Sequence, residues 1–405
     1  MKILWVSPFL PHPEAPHAGG QTIYRWLSQL ARHHEITLLC RLEEKEVEML
    51  KANQIGLIGH IRLISSVFNR PSAGPLQSIK IAASYIRLGR MANRLLRKED
   101  FDLLHVEYIE TGLGINAHTS IPRILVAHDE LSKPFQRKFA LTTGILKRFT
   151  TYLYWRAIGS VEHHICRKFD RILVASEQDR KTLLGLNPML PVTVLPHPIG
   201  IDISTIGDTA REENSLLFVG AMHRDVNRDA MRYFCREILP LIRKEIPNVR
   251  LTIVGNGPPE DIIRLADSSG IMVTGFVPAI EPYYERAAVF VSPLRIGGGI
   301  IIKNLDAMAA GCPVVTTSIG NEGIGAAPCR DLLTADEPAA FAEAVVKLLM
   351  NKDERERLAR NGQAFVLAHF SLESTVNLLE EAYQEMRSTR YRGSVGVYSR
   401  RTRCP

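Results

Sequence analysis

The 405-residue sequence contains no apolar run approaching the ~18 residues that a membrane-crossing helix requires. Its first apolar stretch, residues 1–6, stops at Ser7-Pro8, which is too short for a signal-peptide core and predicts a buried strand. The six cysteines form no C-x-x-C pair and show no zinc-ligand spacing. We therefore expect a cytoplasmic protein with reduced thiols.

Several motifs with well-defined chemistry are also missing. The chain has neither the G-x-G-x-x-G dinucleotide fingerprint nor the G-x-x-x-x-G-K-[ST] loop of ATP-hydrolysing proteins, and it lacks a G-x-S-x-G nucleophile elbow. The triplet Asp100-Phe101-Asp102 resembles a metal-binding D-x-D motif, but it opens a predicted strand instead of following one. We accordingly expect no metal site there.

Acidic residues are absent from the last segment, 387–405, which carries six arginines. The other 44 basic residues nearly balance the 43 acidic ones, so the formal net charge of +7 does not indicate a protein body that binds nucleic acid. We expect this basic tail to be disordered, and contact with anionic lipid is the alternative.

Short β-rich runs alternate with amphipathic helical stretches along nearly the whole chain, which predicts an α/β fold with parallel sheets wrapped by helices. The predicted strands are residues 2–6, 36–40, 103–106, 123–127, 171–174, 192–195, 216–219, 250–254, 273–275, 289–292 and 314–317. A boundary near 196–214 separates the two series, and the length suits two domains of about 200 residues. We expect two doubly wound domains with a cleft between them and ligands at the carboxyl ends of the strands.

The segment 292–311 carries the strongest chemical signal. A strand ends there, a helix follows, and between them lies the turn Ile296-Gly297-Gly298-Gly299. Glycines let backbone N–H groups approach an anion, and a helix N-terminus with Lys303 in its first turn adds positive charge. Asp306, one turn further on, has a carboxylate suited to a ribose diol. The pattern predicts a binding site for a nucleotide diphosphate.

Other loops add weaker candidates for the same ligand. They contain Gly19, Gly20, Gly220, Arg224, Arg228, Asn256, Gly257, Phe276 and Val277. The pair Gly19-Gly20 precedes a predicted helix, so it is a second candidate for an anion-facing helix start, with an ordinary turn as the alternative. Either arginine could neutralise a diphosphate. Backbone groups at 256–257 and 276–277 could contact a base edge, with plain turn chemistry as the alternative.

Two polar residues of the first domain complete the set. Glu107 follows the predicted strand 103–106, and His128 follows the strand 123–127. We expect both side chains to project from the strand ends toward the cleft. A histidine titrates near neutrality and can transfer a proton, so His128 is a candidate for proton handling.

Basic and aromatic residues are mixed over 137–169. Such a mixture can lie at an anionic membrane interface or receive a lipid-linked acceptor. The alternative is a set of amphipathic helices packed on the first sheet.

These segments resemble the family 4 glycosyltransferases, which have the GT-B fold. The resemblance covers residues 1–385. It rests on the opening KILWV, on Gly19-Gly20, and on the segments FVG, LTIVGNG and GFV that end predicted strands. The most specific part is GGGIIIKNLDAMAAGCPVVTTSIGNEGI, which starts at Gly297.

The resemblance implies two facing Rossmann-like domains. Residues 1–200, with a returning helix at 371–386, would form the acceptor side, and residues 201–370 would bind a nucleotide-sugar. The implied reaction is retaining transfer of a sugar from a nucleotide-diphosphate sugar to a glycan, lipid-linked or other hydroxyl acceptor, with no obligatory metal or other cofactor. Lys303, a nearby arginine and helix N-termini would stabilise the departing diphosphate.

The catalytic candidates are therefore Lys303, His128 and Glu107. The resemblance also implies a role in polysaccharide or cell-envelope biosynthesis. It places the protein in the cytoplasm, with peripheral contact at the inner face of the membrane as an expectation, and it implies no nucleic-acid partner.

The sequence departs from the family pattern at several positions. Relatives often carry two glutamates eight residues apart, where this chain has Gly298 and Asp306. The family's basic pair is displaced, so it is open which arginine meets the phosphates, and Glu107 stands where many relatives have a histidine. A non-catalytic nucleotide-sugar-binding protein is the alternative function. A sugar-nucleotide epimerase is less favoured because Gly298 supplies no acid–base carboxylate.

Overall fold

The computed structural model describes the chain except for residues 14, 16–17, 52–60, 69–76, 117–120, 129–130, 134, 137–138, 140–141, 208–209, 268–269, 297–298 and 399–405. The chain divides into two compact units. Unit 1 comprises Met1–Leu195 together with the segment from Thr375 onward, and unit 2 comprises Pro196–Ser374. The chain therefore passes from unit 1 to unit 2 after Leu195, close to the predicted domain boundary at residue 200.

Unit 1 contains a seven-stranded sheet. Its strands are β1 (Lys2–Ser7), β2 (Glu35–Leu42), β3 (Arg62–Val67), β4 (Leu103–Glu107), β5 (Arg123–Ala127), β6 (Arg171–Val174) and β7 (Val192–Val194). They lie in the order β3-β2-β1-β4-β5-β6-β7, and every pairing is parallel. The strand order reverses between β1 and β4, which is the doubly wound arrangement.

The helices of unit 1 connect these strands. They are α1 (Ala18–Leu30), α2 (Glu44–Lys51), α3 (Gln77–Lys98), a 3₁₀ turn at Ile109–Gly114, α4 (Ile145–Cys166) and α5 (Glu177–Leu186). The main core of this unit lies between the central strands and helices α3 and α4, and includes Leu104, Val106 and Ile165. Alternate residues of a strand point to opposite faces of the sheet, so both faces of a buried strand need apolar cover.

Unit 2 contains a six-stranded sheet. Its strands are β8 (Glu212–Val219), β9 (Arg250–Val254), β10 (Ile271–Gly275), β11 (Ala287–Ser292), β12 (Val314–Thr316) and β13 (Leu333–Thr334). They lie in the order β10-β9-β8-β11-β12-β13, again with parallel pairings. Leu216 and Phe218 belong to the core on one face of β8, and Leu217 and Val219 to the core on the other.

The helices of unit 2 flank this sheet. They are α6 (Asp225–Tyr233), continued by a π-helical turn (Phe234–Ile238) into α7 (Leu239–Glu245), then α8 (Glu260–Ile263), α9 (Glu281–Arg286), α10 (Ile302–Ala309), α11 (Ser318–Asn321), α12 (Pro338–Met350) and α13 (Lys352–Phe370). Helix α14 (Leu372–Tyr398) follows and enters unit 1 at Thr375.

The predicted α/β class with parallel sheets is confirmed. Two strands were not predicted, β3 and β13, and both lie at the ends of their sheets. An end strand is covered on fewer sides, so its sequence carries a weaker apolar signal; β3 has one buried residue. Within the part of the chain that the structure describes, no helix combines the length and the apolar character needed to span a bilayer.

Two predicted helix limits differ from the structure. Helix α1 begins at Ala18, so Gly19 and Gly20 lie in its first turn and not in a loop before Thr22. Helix α14 continues past the predicted end at residue 386 to Tyr398, so the backbone of 387–398 is helical where a disordered tail was expected. The remainder of that tail, 399–405, lies outside the described residues.

Candidate functional site

The loops after three neighbouring strands of unit 2 run side by side. The N–H of Gly220, directly after β8, donates to the carbonyl of Val254 at 2.8 Å. The N–H of Gly255, after β9, donates to the carbonyl of Gly275 at 3.1 Å. The carboxyl ends of these strands therefore form a continuous backbone edge, where ligands of doubly wound sheets bind.

The side chain of Lys303 reaches this edge from the first turn of α10. Its Nζ donates a hydrogen bond to Oδ1 of Asn227 at 2.5 Å. The same ammonium group lies 4.2 Å from the centre of the Phe218 ring, within the range of a cation–π interaction. The amide and the ring are both uncharged, so they hold the ammonium in place without neutralising it.

Gly220 leaves room for this arrangement. A Cβ atom at position 220 would lie 2.7 Å from Nζ of Lys303 and 2.8 Å from Nδ2 of Asn227. Either contact is too short for a carbon atom, so a side chain there would displace the lysine, the asparagine or both. The predicted donor-site glycine therefore serves to leave room for the ammonium group.

The environment lowers the pKa of Lys303 to about 7, first because burial removes the ammonium from water and second because Arg224 places a like charge nearby. The residue as a whole is only partly buried, whereas its charged end is enclosed by Asn227 and Phe218. The charge of Arg224 thus acts on Lys303 at the strand edge. An anion bound near both groups would be stabilised by both charges.

The two predicted arginines differ in their contacts. Arg224 is exposed and precedes helix α6. Arg228, one turn further on, contacts the carboxylate of Asp225 within the same helix. Arg224 is therefore the better placed of the two for a diphosphate, because its charge acts on Lys303 while that of Arg228 is met by an acid.

Asp306 has a contact that the sequence did not predict. Its Oδ1 accepts hydrogen bonds from the N–H groups of Gly200 at 2.6 Å and Ile201 at 3.2 Å. The carboxylate, only 5% exposed, thereby fastens the first segment of unit 2 to helix α10. The binding of a ribose by Asp306 stays a prediction.

The turn before α10 is described only in part. Gly297 and Gly298 lie outside the described residues, and Gly299 has a left-handed φ of 76°. Helix α10 begins without a side-chain cap and has no acidic residue in its first turn, so its N-terminus keeps its favourable potential for an anion. Ile296 and Phe276 are exposed at the ends of β11 and β10.

The loops after β9 and β10 contain the remaining predicted positions. The carbonyl of Asn256 accepts from the N–H of Met222, and Gly257 has a φ of 65° beside His223. Val277 packs against the core of unit 2. These backbone contacts explain the turns, and contact of these loops with a base stays a prediction.

Unit 1 carries a different cluster at the carboxyl ends of β4 and β5. Glu107 is the last residue of β4 and is fully buried. Its Oε1 lies 2.9 Å from Nε2 of His105, and its Oε2 lies 2.6 Å from Nε2 of His128. The hydroxyl of Tyr383, in helix α14, lies 2.8 Å from Nδ1 of His105. The expectation that the Glu107 side chain projects from the strand end toward the cleft is corrected, because its carboxylate is buried and enclosed between two imidazoles.

Burial alone would raise the pKa of Glu107, but the two histidines outweigh it by charge and hydrogen bonding and lower the pKa to about 2. An ionised carboxylate only accepts hydrogen bonds, so both histidines must carry a proton on Nε2. The cluster therefore fixes the tautomer and the ring orientation of His128, which is the predicted proton-handling residue.

The ring of His128 is also held by aromatic neighbours. Tyr108 stacks on it with a centroid distance of 4.3 Å, and Trp26 lies on it at 6.0 Å. Tyr108 has a φ of 65°, which a non-glycine residue adopts only under constraint. A Cβ at Gly19 would overlap the Tyr108 hydroxyl, so this glycine gives the ring its place against α1.

Four of these residues were not predicted as site residues: Asn227 as the partner of Lys303, and His105, Tyr108 and Tyr383 around Glu107 and His128. One signal was available, since His105 and Glu107 are two apart in one strand and share a face of the sheet. The contact of Tyr383 with His105 joins residues far apart in the sequence, so no local pattern could reveal it.

Comparisons with known proteins match each unit to a glycosyltransferase family model. Residues 19–203 match the family model "Glycosyltransferase Family 4", and residues 213–351 match "Glycosyl transferases group 1". An uncharacterised 44.6 kDa protein in the cps region of Klebsiella pneumoniae is 26% identical, with 91% of this chain and 96% of that protein covered. D-inositol 3-phosphate glycosyltransferase of Actinosynnema mirum is also 26% identical, over 93% and 95% of the two chains.

Solved structures share the fold. Sucrose-phosphate synthase from Thermosynechococcus elongatus superimposes with a TM-score of 0.68 at 17% identity, covering 96% of this chain and all of that one. The Anabaena protein Alr3699/HepE, crystallised with UDP and glucose, gives a TM-score of 0.62 at 14% identity, covering 95% of this chain and all of that one. With two parallel α/β units and a family match in each, the chain belongs to the family 4 (group 1) glycosyltransferases and has the GT-B fold.

Proposed function

We propose that this glycosyltransferase uses a nucleotide-diphosphate sugar as its donor and binds the diphosphate at the carboxyl edge of the second sheet. The observation that carries the proposal is the ammonium group of Lys303, which is held by two uncharged partners. The nearby like charge of Arg224 acts on it as well. A diphosphate would relieve the repulsion between the two cations. It would also accept hydrogen bonds from the N-terminus of α10.

The same groups fit the demands of the transfer step. When the bond between the sugar's anomeric carbon and the diphosphate oxygen breaks, negative charge grows on the leaving oxygen. Lys303, Arg224 and the α10 N-terminus would stabilise that charge more strongly in the transition state than in the bound donor. Because protein cations meet the diphosphate charge, we propose that no metal is obligatory. We also propose that the configuration at the anomeric carbon is retained.

We propose that unit 1 handles the acceptor hydroxyl. The support is His128 at the carboxyl edge of the first sheet, with its tautomer set by Glu107 and its ring held by Tyr108. A fixed imidazole can orient a hydroxyl group and take part in moving its proton. Glu107 itself is enclosed, so it acts as a positioning residue for His128.

The names of two relatives support a proposal for the acceptor class. The similar Klebsiella protein is named for a cps region, and the similar Actinosynnema protein is named for transfer to an inositol phosphate. We therefore propose a glycan, lipid-linked or other hydroxyl acceptor and a role in polysaccharide or cell-envelope biosynthesis.

A calorimetric panel tests the donor proposal directly. The full chain is titrated with UDP, GDP and dTDP, and one of them is expected to bind with measurable heat. The variant Lys303→Met should lose most of that binding, while Lys347→Met, which removes a lysine paired with Glu354, should keep it. Absence of binding to all three nucleotides at high protein concentration would refute the proposal.

A non-catalytic nucleotide-sugar-binding protein is the second candidate. It is favoured by Gly298 at the place of a family glutamate and by the occupation of Asp306 Oδ1 by two backbone N–H groups. Slow hydrolysis of the donor needs no acceptor, so a screen of nucleotide-sugars for hydrolysis separates the candidates. Binding without hydrolysis, and without transfer to a broad set of acceptors, would favour the second. Epimerised donor among the products would instead indicate an epimerase.

A further inference from the structure

The two halves of helix α4 differ in how they are packed. Gly159 is its first buried residue, Glu162 is buried further on, and Ile165 and Cys166 belong to the core of unit 1. By contrast, every residue from 143 to 150 is exposed. The alternative of a helix packed on the first sheet therefore describes the second half only. In the first half, the described residues make local contacts, since the Phe139 ring meets Tyr152, Trp155 and the guanidinium of Arg148.

This exposed half carries large apolar side chains. The exposed fractions are 92% for Ile145, 78% for Leu146, 57% for Phe149, 50% for Leu153 and 66% for Tyr154. Residues 145, 149 and 153 recur every four positions and share one side of the helix. We call these five residues, together with Lys147, Arg148 and Arg156, the α4 patch. Contiguous apolar exposure of this kind marks an interaction surface.

The charge of the α4 patch has one sign. The sequence contains no acidic residue between Glu130 and Glu162. Glu162 itself is fully buried, and its carboxylate accepts from the N–H groups of Leu131 at 2.7 Å and Ser132 at 3.3 Å. Only positive charge therefore accompanies the exposed apolar residues, which complements an anionic surface.

The position of the patch follows from the topology. Strands β5 and β6 are parallel neighbours, so the helix that joins the end of one to the start of the other runs back along the sheet. Glu162 is level with Leu131, shortly after the carboxyl end of β5. Phe149 lies about 20 Å from Glu162 along the helix axis, at 1.5 Å per residue. The patch thus extends beyond the sheet edge that carries His128.

We propose that the α4 patch docks unit 1 on an anionic lipid surface, with its apolar side chains in the headgroup region and its basic side chains on the lipid charges. The apolar residues supply burial, and the three cations select for anionic lipid. Docking in this orientation would present the edge with His128 to the membrane. This inference rests on residues of unit 1 alone and makes no use of Lys303, so it stands or falls independently of the donor proposal.

Vesicle flotation of the full chain tests the proposal. The protein is mixed with vesicles of phosphatidylcholine alone, or of phosphatidylcholine with phosphatidylglycerol, at low and at high salt. We expect partitioning to be at least about 10-fold stronger with the anionic vesicles and to weaken at high salt, because each basic residue is attracted by the surface potential.

Two variants separate the contributions of the patch. Phe149→Ser with Leu153→Ser should weaken partitioning about 10-fold or more, because the burial of two large apolar side chains is lost. Lys147→Glu with Arg148→Glu should weaken it about 10-fold on anionic vesicles only. The control Ile79→Ser with Met350→Ser removes apolar side chains of similar exposure, 64% and 73%, and should leave partitioning within about 2-fold.

Several results would overturn the proposal. These are a failure of the wild type to float with anionic vesicles, or equal flotation of the wild type and the Phe149→Ser, Leu153→Ser variant. Self-association in sedimentation velocity without vesicles, lost in the same variant, would instead identify the patch as an interface between copies. Thermal unfolding of each variant verifies folding, and nucleotide calorimetry verifies that unit 2 is unchanged.

Discussion

The carboxyl edges of the two sheets treat a charged side chain in opposite ways. In unit 1 the carboxylate of Glu107 is fully buried, and both of its oxygens meet an imidazole. In unit 2 the ammonium of Lys303 is held by an amide oxygen and an aromatic ring, and it makes no ion pair within the described part of the chain. The charge of Glu107 is thus compensated by side chains of the same unit, whereas the partners of Lys303 among the described residues are uncharged.

The difference shows what each charge is able to do. A charge whose hydrogen bonds are all made inside the fold fixes geometry, and its removal is felt as a loss of stability. A cation held by neutral partners keeps most of its attraction for an anion, and its removal is felt as a loss of binding. Four experiments can break or sharpen this comparison.

The largest effect is expected for Glu107→Ala. It leaves two buried imidazoles without their acceptor, so the free energy of unfolding should fall by about 3–5 kcal/mol in urea denaturation. Glu107→Gln keeps one acceptor oxygen and should cost about 1–3 kcal/mol. The control is Glu385→Ala, because this carboxylate is 59% exposed in its pair with Arg171. A loss as small as the control's would show that the buried cluster is not structural.

The next-largest effect is expected at the carboxyl edge of the sheet in unit 2. Lys303→Ala should weaken the binding of the nucleotide diphosphate by about 1.5–3 kcal/mol, as for a hydrogen bond to a charged group. Isothermal calorimetry measures it. Stability should change little, because burial of the ammonium is unfavourable in the free protein. Unchanged affinity would remove Lys303 from the site.

A smaller effect is expected for Gly220→Ala. The new Cβ would lie 2.7 Å from Nζ of Lys303 and push the ammonium from its place. We expect about 10-fold weaker nucleotide binding, which is about 1.4 kcal/mol. Gly185→Ala is the matched control, because nothing lies within 4 Å of a Cβ at that helical position. Equal affinities for the two variants would mean that Lys303 adapts without cost.

The smallest expected effect is the uptake of a proton when the nucleotide binds. In the free protein the pKa of Lys303 is lowered to about 7, and a bound anion should raise it again. At about pH 8, nucleotide binding should therefore take up close to one proton, and affinity should fall as pH rises above about 7. Calorimetry in buffers of different ionisation enthalpy measures the uptake. Lys303→Arg stays charged and should abolish it; proton uptake that persists in this variant would assign the titration to another group.

The titration of Lys303 should also change the stability of the free protein with pH. Nucleotide affinity falls as pH rises above about 7, whereas stability should rise. Between about pH 7 and the ordinary pKa of 10.5, the unfolded chain holds the Lys303 proton and the folded chain does not. The contribution of Lys303 to stability therefore rises with pH across this window. For Glu107, whose pKa is lowered from 4.5 to about 2, the stabilising contribution is complete above 4.5 and is lost as pH falls through about 2.

The fold could be predicted from the sequence wherever a strand is buried on both faces. The strands Arg123–Ala127, Arg171–Val174 and Arg250–Val254 have the limits expected from their apolar runs. The end strand Arg62–Val67 escaped detection because most of its residues are not buried. Helix α1 began earlier than expected because glycine, a poor helix former, is tolerated in a first turn.

For the site, the sequence predicted which charged residues matter, but it did not predict the partners that surround each charge. Lys303 follows a glycine-rich turn, so a local pattern revealed it. Its partner Asn227 comes from another element. The environment of Glu107 depends on His105 in its own strand, on His128 after β5 and on Tyr383 in α14, which are three separate segments. Only tertiary structure brings these segments together.

Helix α14 has a consequence for how the protein is made. It completes unit 1 from the far end of the chain, through the Trp26 indole bonded to Thr375 and the Tyr383 hydroxyl at His105. A ribosome adding about 5–20 residues per second needs on the order of 10–40 s to pass from Leu195 to Tyr383. During that interval the surface of unit 1 that α14 will cover is exposed, and chaperones that act on nascent chains can bind it.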